Sequence, residues 1–86
     1  MIIHWTDAAW EDYLYWQNDD RKTLRRINAL IKDIERNGNL NGIGKPEPLQ
    51  YDLQGYFSRR IDEKNRLVYV ADKTGLTIIS CRFHYE

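Results

Sequence analysis

The sequence predicts an α+β fold: a mainly antiparallel, twisted β-sheet with a helical hairpin packed on one face, in the order β-α-α-β-β-β-β. Three observations predict it. Up to Asn37, apolar residues recur every three or four positions, the period of a helix face. After Pro48 they recur in short alternating runs, the period of a strand. Between the two lies a stretch punctuated by Gly38, Gly42, Gly44, Pro46 and Pro48, which continues neither pattern.

Each element has its own signal. Met1 to Trp5 reads as a short first strand. Thr6 is an N-cap and Asp7 places a carboxylate in the first turn, opening a helix from about residue 7 to 18. Within it Trp10, Tyr13, Leu14 and Gln17 fall at helical spacing, and Trp10 and Tyr13 are expected in the core. Asn18-Asp19-Asp20 interrupts the pattern, and either Asp19 or Asp20 caps the next helix. Leu24, Ile27, Ile31 and Ile34, with Leu30 adjoining, form an apolar stripe that carries this second helix to Asn37, where Gly38 stops it. So short a connection makes the helices antiparallel. Leu49 to Leu53, Tyr56 to Ile61, Arg66 to Ala71 and Leu76 to Phe83 then read as strands, with Asp72-Lys73-Thr74-Gly75 as a hairpin loop. With helices on one face, the other is expected to be free, and function is sought there.

Composition narrows the class. The 86 residues suit a single domain, 1–86, with one modest core. A content of 42% hydrophobic and 30% charged residues is that of a globular chain and argues against disorder. No apolar run approaches the roughly 20 residues of a membrane span and no leader is evident, so a cytoplasmic protein without membrane association is expected. The single cysteine, Cys81, precludes an internal disulfide, fits a reducing compartment and reads as a small buried filler. With only His4 and His84 as histidines, neither a metal site nor a cofactor is expected. Thirteen basic residues balance thirteen acidic ones, which argues against holding duplex nucleic acid by bulk charge and leaves only a local basic surface for RNA.

Three groups of residues carry chemistry. In Lys45-Pro46-Glu47-Pro48 a carboxylate sits between two prolines: Pro46 fixes its own φ and Pro48 biases Glu47 to extended backbone, which suits a positioned general base. In Ser58-Arg59-Arg60-Ile61, strand alternation sends Arg59 and Arg60 to opposite faces. A two-residue turn at Glu63-Lys64 would put Arg59 on the side of Arg66; a three-residue loop at 62–64 would pair Arg60 with Arg66. The sequence allows both. At the end of the chain His84 and Tyr85 combine an imidazole, suited to proton transfer near neutrality, with an aromatic ring. A base, an acid, fixed cations and a stacking ring are the parts needed to cleave RNA through its own 2′-hydroxyl.

These residues carry a resemblance. Trp10-Glu11-Asp12-Tyr13-Leu14-Tyr15-Trp16-Gln17, Lys32-Asp33, Gly44-Lys45-Pro46-Glu47-Pro48-Leu49, Phe57-Ser58-Arg59-Arg60-Ile61, Arg66-Leu67-Val68-Tyr69 and Cys81-Arg82-Phe83-His84-Tyr85 together resemble the YoeB (Txe) family of bacterial toxins, within the RelE superfamily. The resemblance implies a RelE-like fold and a ribosome-dependent endonuclease that cuts mRNA in the A site and inhibits translation. It implies Glu47 as general base, His84 as general acid and Arg66 as the arginine that stabilises the transition state. Arg60 corresponds to a second phosphate-contacting arginine, Tyr85 to the stacking tyrosine and Lys45 to an RNA or rRNA contact. The partners it implies are mRNA, the ribosome, a YefM-like antitoxin and a second copy of the chain. Among the aromatics of the first helix, Trp16 is read separately as part of a dimer or antitoxin surface. Two residues depart from the pattern: Gln50 stands where a basic residue is usual, and Glu86 extends beyond the terminal His-Tyr. The competing readings are a non-nuclease toxin of the same fold, like the ParE gyrase inhibitors, and a catalytically decayed antitoxin-binding module. The set Glu47, Arg66 and His84 speaks against the first, and the variants His84→Ala and Glu47→Ala separate the nuclease from both.

Overall fold

Short polar residues decide where the two helices begin. The computed structural model describes residues 1–83; His84, Tyr85 and Glu86 lie outside them. Helix α1 spans Asp7–Asp19, and the Thr6 hydroxyl accepts from Ala9 N at 3.1 Å while donating to Ile79 O at 2.9 Å. The same side chain therefore caps the helix and ties it to the sheet. Helix α2 spans Arg21–Asn37. Asp20 alone separates the helices, and its carboxylate accepts from Lys22 N, Thr23 N and the Thr23 hydroxyl, so Asp20 and not Asp19 is the cap. At the far end Gly38, at φ 85°, closes α2 with its N–H on Ile34 O.

Among the described residues five strands form one sheet: β1 (Ile3–Trp5), β2 (Glu47–Pro48), β3 (Phe57–Arg60), β4 (Arg66–Asp72) and β5 (Gly75–Ser80), in the spatial order β1-β5-β4-β3-β2. All neighbours are antiparallel except β1 and β5, which are parallel. That parallel pair closes tightly at Gly75, where a Cβ would lie 2.3 Å from Ile2 O. The predicted α+β architecture and strand number are thus present, with the helical hairpin on one face.

The core lies between helices and sheet. Ile27, Leu30, Ile31 and Ile34 of α2 and Ala9 and Trp16 of α1 meet Leu67, Tyr69, Leu76, Ile78 and Cys81. Each large apolar side chain here contributes on the order of 1.5–3 kcal/mol by leaving water. The α2 stripe and the buried Cys81 are as the sequence predicts.

Three expectations need correction. Residues 49–53 are not a strand. Tyr51, at φ 57°, turns the chain into a 3-10 helix over Tyr51–Leu53, closed by Leu53 N to Gln50 O and Gln54 N to Tyr51 O. The strand is instead Glu47–Pro48, and one further bond beside β3, from Leu49 N to Tyr56 O at 2.9 Å, precedes the turn at Tyr51. Second, Trp10 is 44% exposed and packs edgewise on Trp5, whereas Trp16 is buried with its indole N–H on Cys81 O at 2.8 Å. Third, the last strand stops at Ser80 rather than Phe83. A register shift at Val68/Tyr69 ends regular pairing, although Arg66 N still donates to Phe83 O at 3.1 Å.

Candidate active site

The β3–β4 register settles which arginine faces which way. Arg60 lies opposite Arg66 and Arg59 opposite Leu67, while Ile61 N bonds Asn65 O across the loop at 62–64. On the far side of β3, Glu47 lies opposite Ser58. Cross-strand partners project to the same side of a sheet. Glu47, Ser58, Arg60, Arg66 and Val68 therefore share the face turned away from the helices, and Arg59 shares the other with Leu67, Phe57 and Tyr69. The outward face is less open than expected, since Ser58, Arg66 and Val68 are buried; Arg60 and Glu47 are exposed.

Arg59, the inward-facing arginine of the pair, is a structural residue that supports the site. It is fully buried, and its guanidinium makes five hydrogen bonds: to the Tyr69 hydroxyl, the Asp33 carboxylate and the carbonyls of Ile43, Gly38 and Asn41. That uses all five donors of an arginine. The Tyr69 hydroxyl passes the chain on to Asn39 O at 2.6 Å. Together these bonds hold the loop between α2 and β2 against the sheet. Hydrogen bonding from Arg59, joined by Ile43 N and Asn37, keeps the Asp33 carboxyl below its ordinary 3.8. The sequence held one clue: with Arg59 and Arg60 on opposite faces, one had to meet the helices and find a carboxylate there.

The stapled loop delivers Glu47. Gly44, at φ 84°, lies so close to the core that a Cβ would come within 2.8 Å of Leu30 Cδ2, and its carbonyl accepts from Arg60 N at 2.7 Å. Lys45 then takes φ 52° immediately before Pro46, a left-handed conformation on a residue that proline ordinarily drives to extended backbone. Local strain of this kind costs on the order of 1–3 kcal/mol and is characteristic of functional sites. Lys45 and Glu47 are both exposed. Beyond Glu47 the 3-10 turn walls a cavity of about 340 Å³ lined by residues 47–53, over which Tyr51 stands 89% exposed.

Arg66 is set by the loop that precedes it. Its Nη1 donates to Asp62 O at 2.7 Å and Asn65 O at 3.1 Å. Asp62 organises that loop by accepting from Lys64 N, Asn65 N and the Asn65 amide. Asn65 Oδ1 in turn accepts from Phe83 N at 2.6 Å, so the described chain ends beside Arg66. Two candidate residues, His84 and Tyr85, lie outside the described residues. His4, the other histidine, sits at the far edge of the sheet with Nε2 donating to Thr74 O. Among the described residues no three His, Cys, Asp or Glu side chains are grouped to hold a metal ion, and no helix is long and apolar enough to cross a membrane.

The carboxylate of Glu47 and the guanidinium groups of Arg60 and Arg66 thus belong to one sheet face. Known proteins carry the same frame. A solved YoeB–YefM complex from Staphylococcus aureus contains a chain 48% identical to this one, covering 99% of this chain and 98% of that one with a TM-score of 0.93. The YoeB dimer from Staphylococcus aureus is 49% identical over the same shares, with a TM-score of 0.94. Toxin YoeB of Synechocystis sp. is 55% identical over 86 residues, 100% of this chain and 99% of that protein. Residues 5–85 match the model of the YoeB-like toxin of bacterial type II toxin-antitoxin systems. With its sheet, its hairpin and nearly its whole length in common with these toxins, the chain belongs to the YoeB-like family.

Proposed function

We propose that this toxin is a cytoplasmic, ribosome-dependent endoribonuclease that cuts mRNA in the A site and so stops translation. The observation that carries the proposal is the cross-strand arrangement of Glu47, Arg60 and Arg66 on one sheet face, at the place where the C-terminal chain arrives. The Glu47 carboxylate takes the proton of the 2′-hydroxyl, and the freed oxygen attacks the adjacent phosphorus. Arg66 and Arg60 stabilise the extra charge on the phosphorane-like transition state. The His84 imidazolium gives its proton to the 5′-oxygen as the P–O5′ bond breaks, leaving a 2′,3′-cyclic phosphate and a 5′-hydroxyl. Tyr85 stacks on a base splayed from its neighbour, and Lys45 contacts the RNA or rRNA backbone.

The partners follow from the same reading. mRNA and the ribosome are the substrate complex. A YefM-like antitoxin neutralises the toxin and a second copy completes a homodimer, readings supported by the Staphylococcus aureus YoeB–YefM complex and YoeB dimer. Toeprinting of a defined mRNA on ribosomes with purified protein tests the proposal. Cleavage within the A-site codon is expected, and equal cutting of naked RNA would remove the ribosome from the mechanism. Growth arrest undiminished in both Glu47→Ala and His84→Ala would point to a toxin that is not a nuclease.

A further inference from the structure

Beyond Ser80 the chain leaves the sheet ladder, yet its next three residues are held firmly by side chains. Asp12 Oδ2 accepts from Cys81 N at 3.0 Å, and Trp16 Nε1 donates to Cys81 O at 2.8 Å. Asp12 and Trp16 are four residues apart on α1, hence on one face of it. The Arg82 guanidinium carbon lies 3.4 Å from the centre of the Tyr15 ring and 4.4 Å from that of Phe83. From the opposite side, Asn65 holds Phe83 N and Arg66 N holds Phe83 O. Side chains, with this one backbone bond from Arg66, thus do for Cys81–Phe83 what a neighbouring strand does for β5.

Asp12 is costly for that task. Burial pushes its carboxyl pKa up, against the opposing pull of the Cys81 N–H and the Arg82 charge. A neutral acceptor would satisfy one amide without desolvating a charge. The hold of Asp12 on the tail is its hydrogen bond to Cys81 N, and Arg82 acts on it only through its charge.

We propose that Asp12, Tyr15 and Trp16 of α1 form a seat for Cys81–Phe83 and act as positioning residues for RNA cleavage by the terminal His84-Tyr85 pair. The inference rests on the nuclease reading above. A proton donor works only within hydrogen-bonding reach of the leaving oxygen, and a misplacement of about 1 Å can cost on the order of 100-fold in rate. Anchoring the backbone at Cys81 and Phe83, and the side chain of Arg82 between them, fixes the end of the described chain from which His84 follows.

The test measures kcat and KM for ribosome-dependent mRNA cleavage, together with hydrogen exchange at the Cys81 amide, in the full chain and its variants. Asp12→Ala is expected to lower kcat about 10- to 100-fold while KM stays within about twofold, and to accelerate exchange at Cys81. Asp12→Asn, which keeps an acceptor oxygen, should restore kcat to within about threefold of wild type. Trp16→Phe removes the indole donor, along with some buried ring volume, and should resemble Asp12→Ala; it carries the test if Asp12→Ala does not fold. Wild-type kcat in Asp12→Ala overturns the proposal, as does an equal fall in Asp12→Asn and Asp12→Ala, which would make the charge and not the seat responsible. Failure of the nuclease reading looks different, because wild type then leaves the mRNA intact. The seat is in that case judged at Cys81 alone, where unchanged exchange in Asp12→Ala rejects it.

Discussion

Arg59 in the middle of β3 and Asp33 on α2 form a hydrogen-bonded ion pair inside the protein, the arginine side chain with no exposed surface and the aspartate with 15%. A cation in this position cannot meet a substrate. Of its remaining hydrogen bonds one goes to the Tyr69 hydroxyl and three to the loop that precedes Glu47, so this inner arginine holds the frame, while Arg60 and Arg66 lie on the opposite face of the sheet.

Removing that frame should be severe. Arg59→Met leaves the Asp33 carboxylate and three loop carbonyls without their donor, and is expected to destabilise the fold by about 3–5 kcal/mol. Arg60→Met, one residue away on the exposed side, should change stability by less than about 0.5 kcal/mol. Urea denaturation of the two variants makes the comparison, and similar midpoints would contradict the roles assigned.

The same pair sets an acid limit. The folded pKa of Asp33 is depressed below 3.8 by Arg59. Its contribution is therefore complete above the unfolded value and disappears as pH falls below 3.8 and through the lower folded value. Unfolding midpoints taken across this acid range should fall more steeply for wild type than for Asp33→Ala, in which that titration is absent.

Two glycines with positive φ should respond differently to alanine. At Gly55, φ 98°, an added Cβ meets nothing within 4 Å, so Gly55→Ala carries backbone strain alone, roughly 1–2 kcal/mol. At Gly44 the same strain is joined by contacts of 2.8 Å to Leu30 Cδ2 and 3.2 Å to Arg59 Cβ. Gly44→Ala should lower the thermal midpoint further than Gly55→Ala, and should also reduce cleavage because its loop carries Glu47.

Cys81 should be inert in the native protein. Burial, aided by the nearby Asp12 charge, pushes its thiol up to about 12, so almost no thiolate exists near neutrality. Iodoacetamide at mildly alkaline pH is expected to leave the folded protein unmodified and to alkylate it quickly in denaturant. Rapid labelling under native conditions would show that the tail root opens readily.

Glu47 tests the chemistry rather than the frame. Glu47→Gln keeps the shape of an exposed side chain and removes the base proposed above, so kcat should fall by about 10²- to 10⁴-fold. The urea midpoint should barely move, and a large shift would identify Glu47 as structural.

How far the sequence carries can be judged at particular residues. The stripe Ile27, Leu30, Ile31 and Ile34, the Thr6 cap and the stop at Gly38 are all readable, because each is a relation between residues a few positions apart. Residues 49–53 misread as a strand because an apolar alternation there competes with a turn whose left-handed Tyr51 has no local signature. In the aromatic helix, spacing favoured Trp10 for the core while the structure buries Trp16.

The sequence by itself determined the order of elements, the helical hairpin, the opposite facing of Arg59 and Arg60, and the proline-flanked Glu47. Only the tertiary structure decided that Arg60 joins Glu47 and Arg66 on the outer face, that Arg59 belongs to Asp33, and that Trp16 and Asp12 grip the C-terminal chain. The physical reason is range. Periodicity and caps act within one or two turns, whereas Arg59 finds Asp33 across 26 residues and Trp16 finds Cys81 across 65. Which of two similar side chains is buried depends on the partner that the fold brings to it.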